Sequence, residues 1–377
     1  MFGKYGGDIE KQNTGIEIVN RLLAFVLVIL GGIAFASQFS FLPIESSNMA
    51  IDWKHIWNGT HNFSANYGIT ELRTPPWSLI FIWPLTLFDM ASSWALAAYG
   101  TLLILVLSVP TKSSRSMRLL ATLVLISAYP AIRQLIDGNL EALIIGGVLL
   151  ATYSLTQSNA FLFAISLLML TAKIQETWLL LPFIAYWQFI CWPKNKRMRP
   201  YLIAVALALI PLAIFGRDWL SAMIHFPWPG TLIDSSLSAT MARLSIPVAV
   251  YWLTWIATMA VLLFLIRQSR LQGNRSGFAL LVTTALLLSP YAASNSLLTP
   301  FVLGVIPLFI KHPSWGLALA SLYFFPYLKL GDELWRFNQE SNYWTLVLIL
   351  TFIVLAIDLW NSIPVSNEQT IEPAASN

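Results

Sequence analysis

Apolar runs long enough to cross a bilayer recur along this chain, beginning at residues 16–36 and ending at 343–361. A hydrocarbon core of ~30 Å needs about 20 predominantly apolar residues per helix, so each run satisfies the length requirement on its own. Within the bilayer every backbone polar group needs an internal partner, which leaves helices as the economical solution for runs of this length. Composition agrees. Hydrophobic residues make up 57% of the 377 positions and charged residues 11%, against roughly 25% charged in a soluble domain. Too few charges remain to solvate a soluble fold of this size.

The first run is too long for a signal-peptide core and lacks a compact basic segment ahead of it, so it reads as a retained helix. A single cysteine, Cys191, excludes an internal disulfide and a cysteine-based metal centre. The positions of the charges carry more information than their sum. Most Lys and Arg fall in short segments around Lys4–Arg21, Lys112–Arg118, Lys194–Arg199, Arg267–Arg275 and Lys311. The positive-inside rule places these in the cytoplasm. Twelve crossings satisfy that rule, at 17–37, 92–110, 116–133, 140–156, 160–173, 176–192, 200–215, 246–267, 277–291, 297–311, 314–330 and 343–361. Residues 76–88 then have to lie as an interfacial or re-entrant helix, because a second crossing there inverts every later basic segment.

The expected architecture is an all-α polytopic membrane protein with about twelve transmembrane helices. Residues 1–361 form one domain, with long outer loops at 38–75 and 216–245. The polar segment 362–377 reads as a disordered cytoplasmic tail. The localisation expected is the plasma (inner) membrane, with the functional face periplasmic or extracellular. The remaining basic residues and most acids map to that outer face, where charges at helix ends favour a protein interior or watery cavity over lipid.

Four outer segments carry candidate chemistry. In Ile51-Asp52-Trp53-Lys54-His55-Ile56-Trp57, Asp52 is either a helix N-cap or a partly desolvated general base, and the cap preference favours the first. In Arg133-Gln-Leu-Ile-Asp137-Gly138-Asn139-Leu140-Glu141, a tight turn explains Asp137 to Asn139, with Asn139 capping the next helix. It leaves Arg133 and Glu141 unexplained at membrane depth. Lys173 and Glu176 form either a surface i,i+3 ion pair or a phosphate contact. Asp234-Ser235-Ser236 reads as a helix start, with Arg243 left near the interface. Phosphate-binding glycine loops, dinucleotide turns and HExxH are absent, and the four histidines have no metal-ligand spacing. Neither a cofactor nor a metal is expected.

The order of these features resembles the GT-C glycosyltransferases, and more narrowly the polyprenyl-phosphate-sugar-dependent mannosyltransferases that build phosphatidylinositol mannosides. The likeness spans residues 15–330. It rests on IDWKHIW opening the first outer loop, on Arg73-Thr74-Pro75-Pro76-Trp77, and on Gly138-Asn139-Leu140-Glu141. Asp234-Ser235-Ser236-Leu237 through Arg243 and Ser289-Pro290-Tyr291 with nearby Asn295 complete it. The resemblance implies a GT-C-like fold and inverting transfer of a mannose-like hexose. The donor is a polyprenyl-phosphate sugar and the acceptor a lipid or glycan. It implies Asp52 as the general base, and Arg133, Lys173 and Arg243 as donor-phosphate ligands. His55, Arg73, Asn139, Glu141, Asp234, Ser236 and Asn295 are implied as substrate contacts. The competing classes are a transporter or flippase of lipid-linked sugar and an inactive lipid-binding relative.

Overall fold

The computed structural model describes residues 6–61, 65, 74–225, 234–269, 275–329 and 337–362. Arg73 and the tail beyond Ser362 lie outside the described residues. Among those residues every regular element is helical. In chain order the longer helices are α1 (Gly6–Phe39), α2 (Ile51–Thr60), α3 (Met90–Ser108), α4 (Arg115–Ser127), α5 (Tyr129–Asp137), α6 (Glu141–Gln157) and α7 (Ala160–Leu170). They continue with α8 (Leu180–Cys191), α9 (Arg199–His225), α10 (Leu237–Arg243), α11 (Val248–Ser269), α12 (Arg275–Leu288), α13 (Ile306–Lys311), α14 (Pro313–Leu322) and α15 (Phe337–Asn361).

Several helices start where the sequence supplies a cap. Asp89 accepts from the Ser92 amide at 2.9 Å ahead of α3, Ser114 from Met117 ahead of α4, and Asn159 from Phe161 and Leu162 ahead of α7. Seven stretches are long and apolar enough to cross a membrane: Leu22–Phe39, Met90–Ser108, Ala160–Thr177, Lys194–His225, Val248–Gln268, Ser294–Lys311 and Ser341–Asn361. An eighth is α4 with α5, bent by 57° between them. The protein is thus a multi-pass, all-helical membrane protein, with fewer full-length spans than the twelve expected. Four of the expected crossings are short: α6 has 17 residues, α8 has 12, α12 has 14 and α14 has 10. Burial accounts for α12, whose residues Ser276–Leu288 are all enclosed by neighbours and none of which has to match a lipid thickness. By contrast Leu209, Ile210, Leu253 and Leu263 on α9 and α11 are more than half exposed, as a lipid-facing surface requires.

Two expected boundaries move. The outer loop 216–245 begins as helix, because α9 runs on through Arg217 to His225. Residues 76–88 fold into the short turns Pro76–Ser78, Leu79–Ile82 and Leu85–Leu87, none long enough to cross, and α3 follows as one span.

Side-chain bonds sort the helix ends. Trp94, near the start of α3, donates to Leu135 O at 3.0 Å beside the α5–α6 turn. At the other end of α3, Ser108 O accepts from Arg275 at 2.6 Å. Asp358 accepts there from Lys311 at 2.7 Å and from Ser276 at 3.1 Å. The α6 helix carries the chain about 25 Å away from that turn, to Leu155, whose carbonyl takes the Trp192 indole N–H next to the basic Lys194–Arg199 segment. The basic Lys194–Arg199 segment, Arg275 and Lys311 therefore sit at the opposite end of the bundle from the polar α5–α6 turn.

Gly138 fixes how α2 meets that polar turn. Its φ of +72° is left-handed, and a Cβ there stands 2.5 Å from Trp53 Cβ. Backbone conformation alone penalises a side chain by about 1–2 kcal/mol, and the buried Trp53 has no room to retreat. Gly138→Ala is expected to lower the thermal unfolding midpoint in detergent. Gly100→Ala, mid-helix with nothing within 4 Å of the added carbon, is expected to hold or raise it. Equal midpoints for the two variants would remove the packing argument.

Candidate active site

The site is assembled from segments far apart in sequence, each held by a specific anchor. Helix α2 is pinned three ways. The Ala50 amide donates to Ile136 O at 2.7 Å, the Trp53 indole to Ser93 Oγ at 3.0 Å, and the Trp57 indole to Phe88 O at 3.0 Å. The N-cap of α2 is Ala50, in left-handed conformation and without a side-chain cap. Asp52 therefore is not a cap, which corrects the local preference read from sequence. Its carboxylate turns toward two amides instead. Asn139 Nδ2 donates to Asp52 Oδ2 at 2.7 Å, and Asn295 Nδ2 donates to the same oxygen at 3.2 Å.

Asn139 is oriented by its own neighbour. Its Oδ1 accepts from the Leu140 amide at 2.6 Å, which aims Nδ2 at Asp52, while its carbonyl accepts from Gln134. The N-cap of α6 is Leu140, so the expected capping role of Asn139 is replaced by this bridge. Glu141 follows immediately and is fully buried.

Three polar side chains of one short segment reach three carboxylates. Asn295 meets Asp52, Ser296 Oγ donates to Glu176 Oε1 at 2.7 Å, and Thr299 Oγ1 donates to Glu141 Oε2 at 2.9 Å. Lys173 lies between the two glutamates, bonded to Glu141 Oε1 and 3.1 Å from Glu176 Oε1. The triad is a buried network, with Lys173 14% exposed and both carboxylates at 0%, where the sequence suggested a surface pair.

A cavity of about 750 Å³ opens over this polar floor. Its lining includes the polar Asp52, His55, Asn139, Lys173, Ser289 and Asn295 and the largely apolar Trp178, Trp219, Met223, Trp255 and Leu288. Thr74 and Pro75 at the edge connect it to the turn Pro76–Ser78, which is held by the Trp77 indole on Thr171 Oγ1 at 2.9 Å. No group of three or more potential metal ligands occurs among the described residues.

The structure gathers Asp52, His55, Asn139, Lys173 and Asn295 at the cavity, with Glu141 directly behind Lys173. Arg133, Arg243, Asp234 and Ser236 are not among the residues that line it. Arg133 pairs with Asp137 at 2.8 Å along α5 and is 41% exposed. Arg243 donates to Asp234 O, Thr240 Oγ1 and Asn342 Oδ1, all within 2.8 Å, so its hydrogens serve the fold. Asp234 Oδ1 accepts from the Ser236 and Ala292 amides, while burial pushes its carboxyl pKa above the ordinary value. Ser236 caps α10 by accepting from the Ala239 amide. Together they fasten the 234–237 strap to the loop that carries Asn295.

Trp178, Trp219, Met223 and Trp255 had no signal in sequence, because a tryptophan on an apolar helix faces lipid, core or cavity with equal plausibility. Ser296 and Thr299 were legible only as small polar residues entering a span.

The chain matches no family model, no curated protein and no solved structure.

Proposed function

We propose that the protein is a membrane glycosyltransferase of the GT-C kind, with about twelve crossings counted to include its short buried helices. It moves a mannose-like hexose from a polyprenyl-phosphate donor to a lipid or glycan acceptor on the non-cytoplasmic face. The observation that carries the reading is the Asp52 carboxylate. It is the only carboxylate among the described residues lining the cavity, and two carboxamides donate to its Oδ2.

Two amide donors on one carboxylate oxygen fix the direction of the group. No hydrogen bond to Oδ1 occurs among the described residues. That oxygen is the proton acceptor: it takes the hydrogen of an acceptor hydroxyl as the hydroxyl oxygen bonds to the anomeric carbon. The bond from that carbon to the phosphate oxygen breaks, its electron pair leaves with the polyprenyl phosphate, and the configuration inverts. Asp52 then releases its proton to solvent. The Trp178–Trp219–Trp255 side of the cavity supplies an apolar, amphipathic wall suited to a lipid-linked substrate.

A transporter places ionisable groups near the bilayer midplane on broken helices. Here Glu141 begins α6 and the bonds of Lys173 and Glu176 fall at the same outer end, which favours interfacial chemistry. The deciding experiment uses purified protein in proteoliposomes and radiolabelled polyprenyl-phosphate mannose, glucose or galactose. Label is expected to move to a lipid or glycan acceptor with one of these donors and not with a nucleotide sugar. Translocation of donor without transfer would replace this reading by the flippase, and transfer from the nucleotide sugar alone would exclude it.

A further inference from the structure

We propose that His55 meets the donor phosphate with an imidazole N–H; the inference rests on the glycosyltransferase reading. Charge bookkeeping around the cavity leads to it. A leaving phosphate needs a positive or N–H-donating partner, because negative charge grows on its bridging oxygen as the sugar departs. Of the three cations assigned to that task from sequence, Arg133 is paired with Asp137 and Arg243 is held by three oxygens of its own surroundings. Lys173 faces the cavity, yet two buried carboxylates share its ammonium, so the charge it presents is more than offset. His55 is different. It lines the cavity, is exposed to it, and has no hydrogen-bond or ion-pair partner among the described residues.

Its position suits the role. His55 lies three residues beyond Asp52 on α2, and side chains at that spacing share one helix face with Cβ atoms about 5–6 Å apart. In an inverting displacement the entering hydroxyl and the leaving phosphate stand on opposite sides of the anomeric carbon. One helix face then presents the base to the first and the imidazole N–H to the second. The pins at Ala50, Trp53 and Trp57 hold that stretch of α2 in place. An imidazole N–H donates a hydrogen bond to a phosphate oxygen, and the charge on the acceptor strengthens it.

The test separates binding from turnover. Binding of dodecyl phosphate and of uncharged dodecyl glucoside is followed by quenching of the cavity tryptophans, using full-length protein carrying Asp52→Asn to silence chemistry. Adding His55→Gln is expected to weaken dodecyl phosphate roughly ten- to a hundredfold, the usual consequence of losing a hydrogen bond to a charged group. It should leave dodecyl glucoside unchanged, and His55→Arg should restore phosphate binding. Inorganic phosphate is expected not to compete, which marks the ligand as a lipid phosphate; competition at equal concentration would assign the site to free phosphate and overturn the proposal. With Asp52 intact, His55→Gln should raise the donor KM and lower kcat while leaving the acceptor KM unchanged. Equal phosphate binding by His55→Gln and its parent sinks the proposal. If the protein with Asp52 intact binds dodecyl phosphate through His55 but transfers no sugar, the glycosyltransferase reading fails and the phosphate site stands.

Discussion

Asp52→Asn is expected to abolish sugar transfer while leaving the fold intact. The two halves of that expectation have separate physical sources. Asparagine is nearly isosteric, and its carbonyl oxygen can accept the Asn139 and Asn295 amides that now reach Oδ2. Asp52 makes no backbone capping bond, so α2 loses only the small benefit of an acid in its first turn, about 0.3–1 kcal/mol. The carboxamide, however, has no basicity toward an attacking hydroxyl. Loss of a positioned general base lowers the rate by roughly 10²–10⁴-fold. No second carboxylate among the described lining residues stands ready to substitute, since Glu141 and Glu176 are committed to Lys173 and Asp137 to Arg133. The measurement is turnover of the lipid-linked donor beside thermal unfolding of the same preparation. Turnover near the parent value would detach the chemistry from Asp52. A collapsed unfolding midpoint would instead make Asp52 a structural residue.

What the sequence conveyed about this site and what it withheld divide along physical lines. Apolar run length and the distribution of Lys and Arg depend on solvation, a property of each segment alone, so membrane character was legible residue by residue. The number of full-length spans was not. The length of α12 follows from its enclosure by other helices, and enclosure is a property of packing. At the site, Asp52, Asn139, Lys173 and Asn295 stood out as polar residues at the ends of apolar runs, and the fold does bring them to one cavity. Local chemistry misjudged what they do there. Asp52 has the profile of a cap and Lys173–Glu176 that of a surface pair. Their partners, Asn295 at 243 residues' separation and Glu141 at 32, decide otherwise. Arg133 and Arg243 failed for the complementary reason: a cation near an interface looks available until the oxygens around it are known.

Lys173→Met is expected to be the most destabilising single change in the site. The sequence left Lys173 as either a surface ion pair or a phosphate contact; the structure buries it between two glutamates. Deleting the ammonium leaves Glu141 and Glu176 facing each other with both side chains at 0% exposure. Thr299 and Ser296 still donate one hydrogen bond each, but Glu176 Oε2 is already without a partner among the described residues. Breaking a buried pair by removing one member costs about 3–5 kcal/mol, chiefly because the charge left behind has no counter-ion. Replacing the carboxylates as well should recover much of that loss. Gln at 141 and 176 keeps an acceptor for each hydroxyl and carries no charge, so Lys173→Met with Glu141→Gln and Glu176→Gln is expected to unfold nearer the parent than Lys173→Met alone. Chemical unfolding of the three proteins in detergent, read by tryptophan fluorescence, gives the comparison. If Lys173→Met is as stable as the parent and instead loses affinity for dodecyl phosphate, the lysine is a ligand for the donor and the triad is not what holds α6, α7 and the 294–299 segment together. If the triple variant regains stability and still binds dodecyl phosphate, the network's task is to seat Asn295 and Asn139 around Asp52. That outcome leaves the phosphate to His55 on α2.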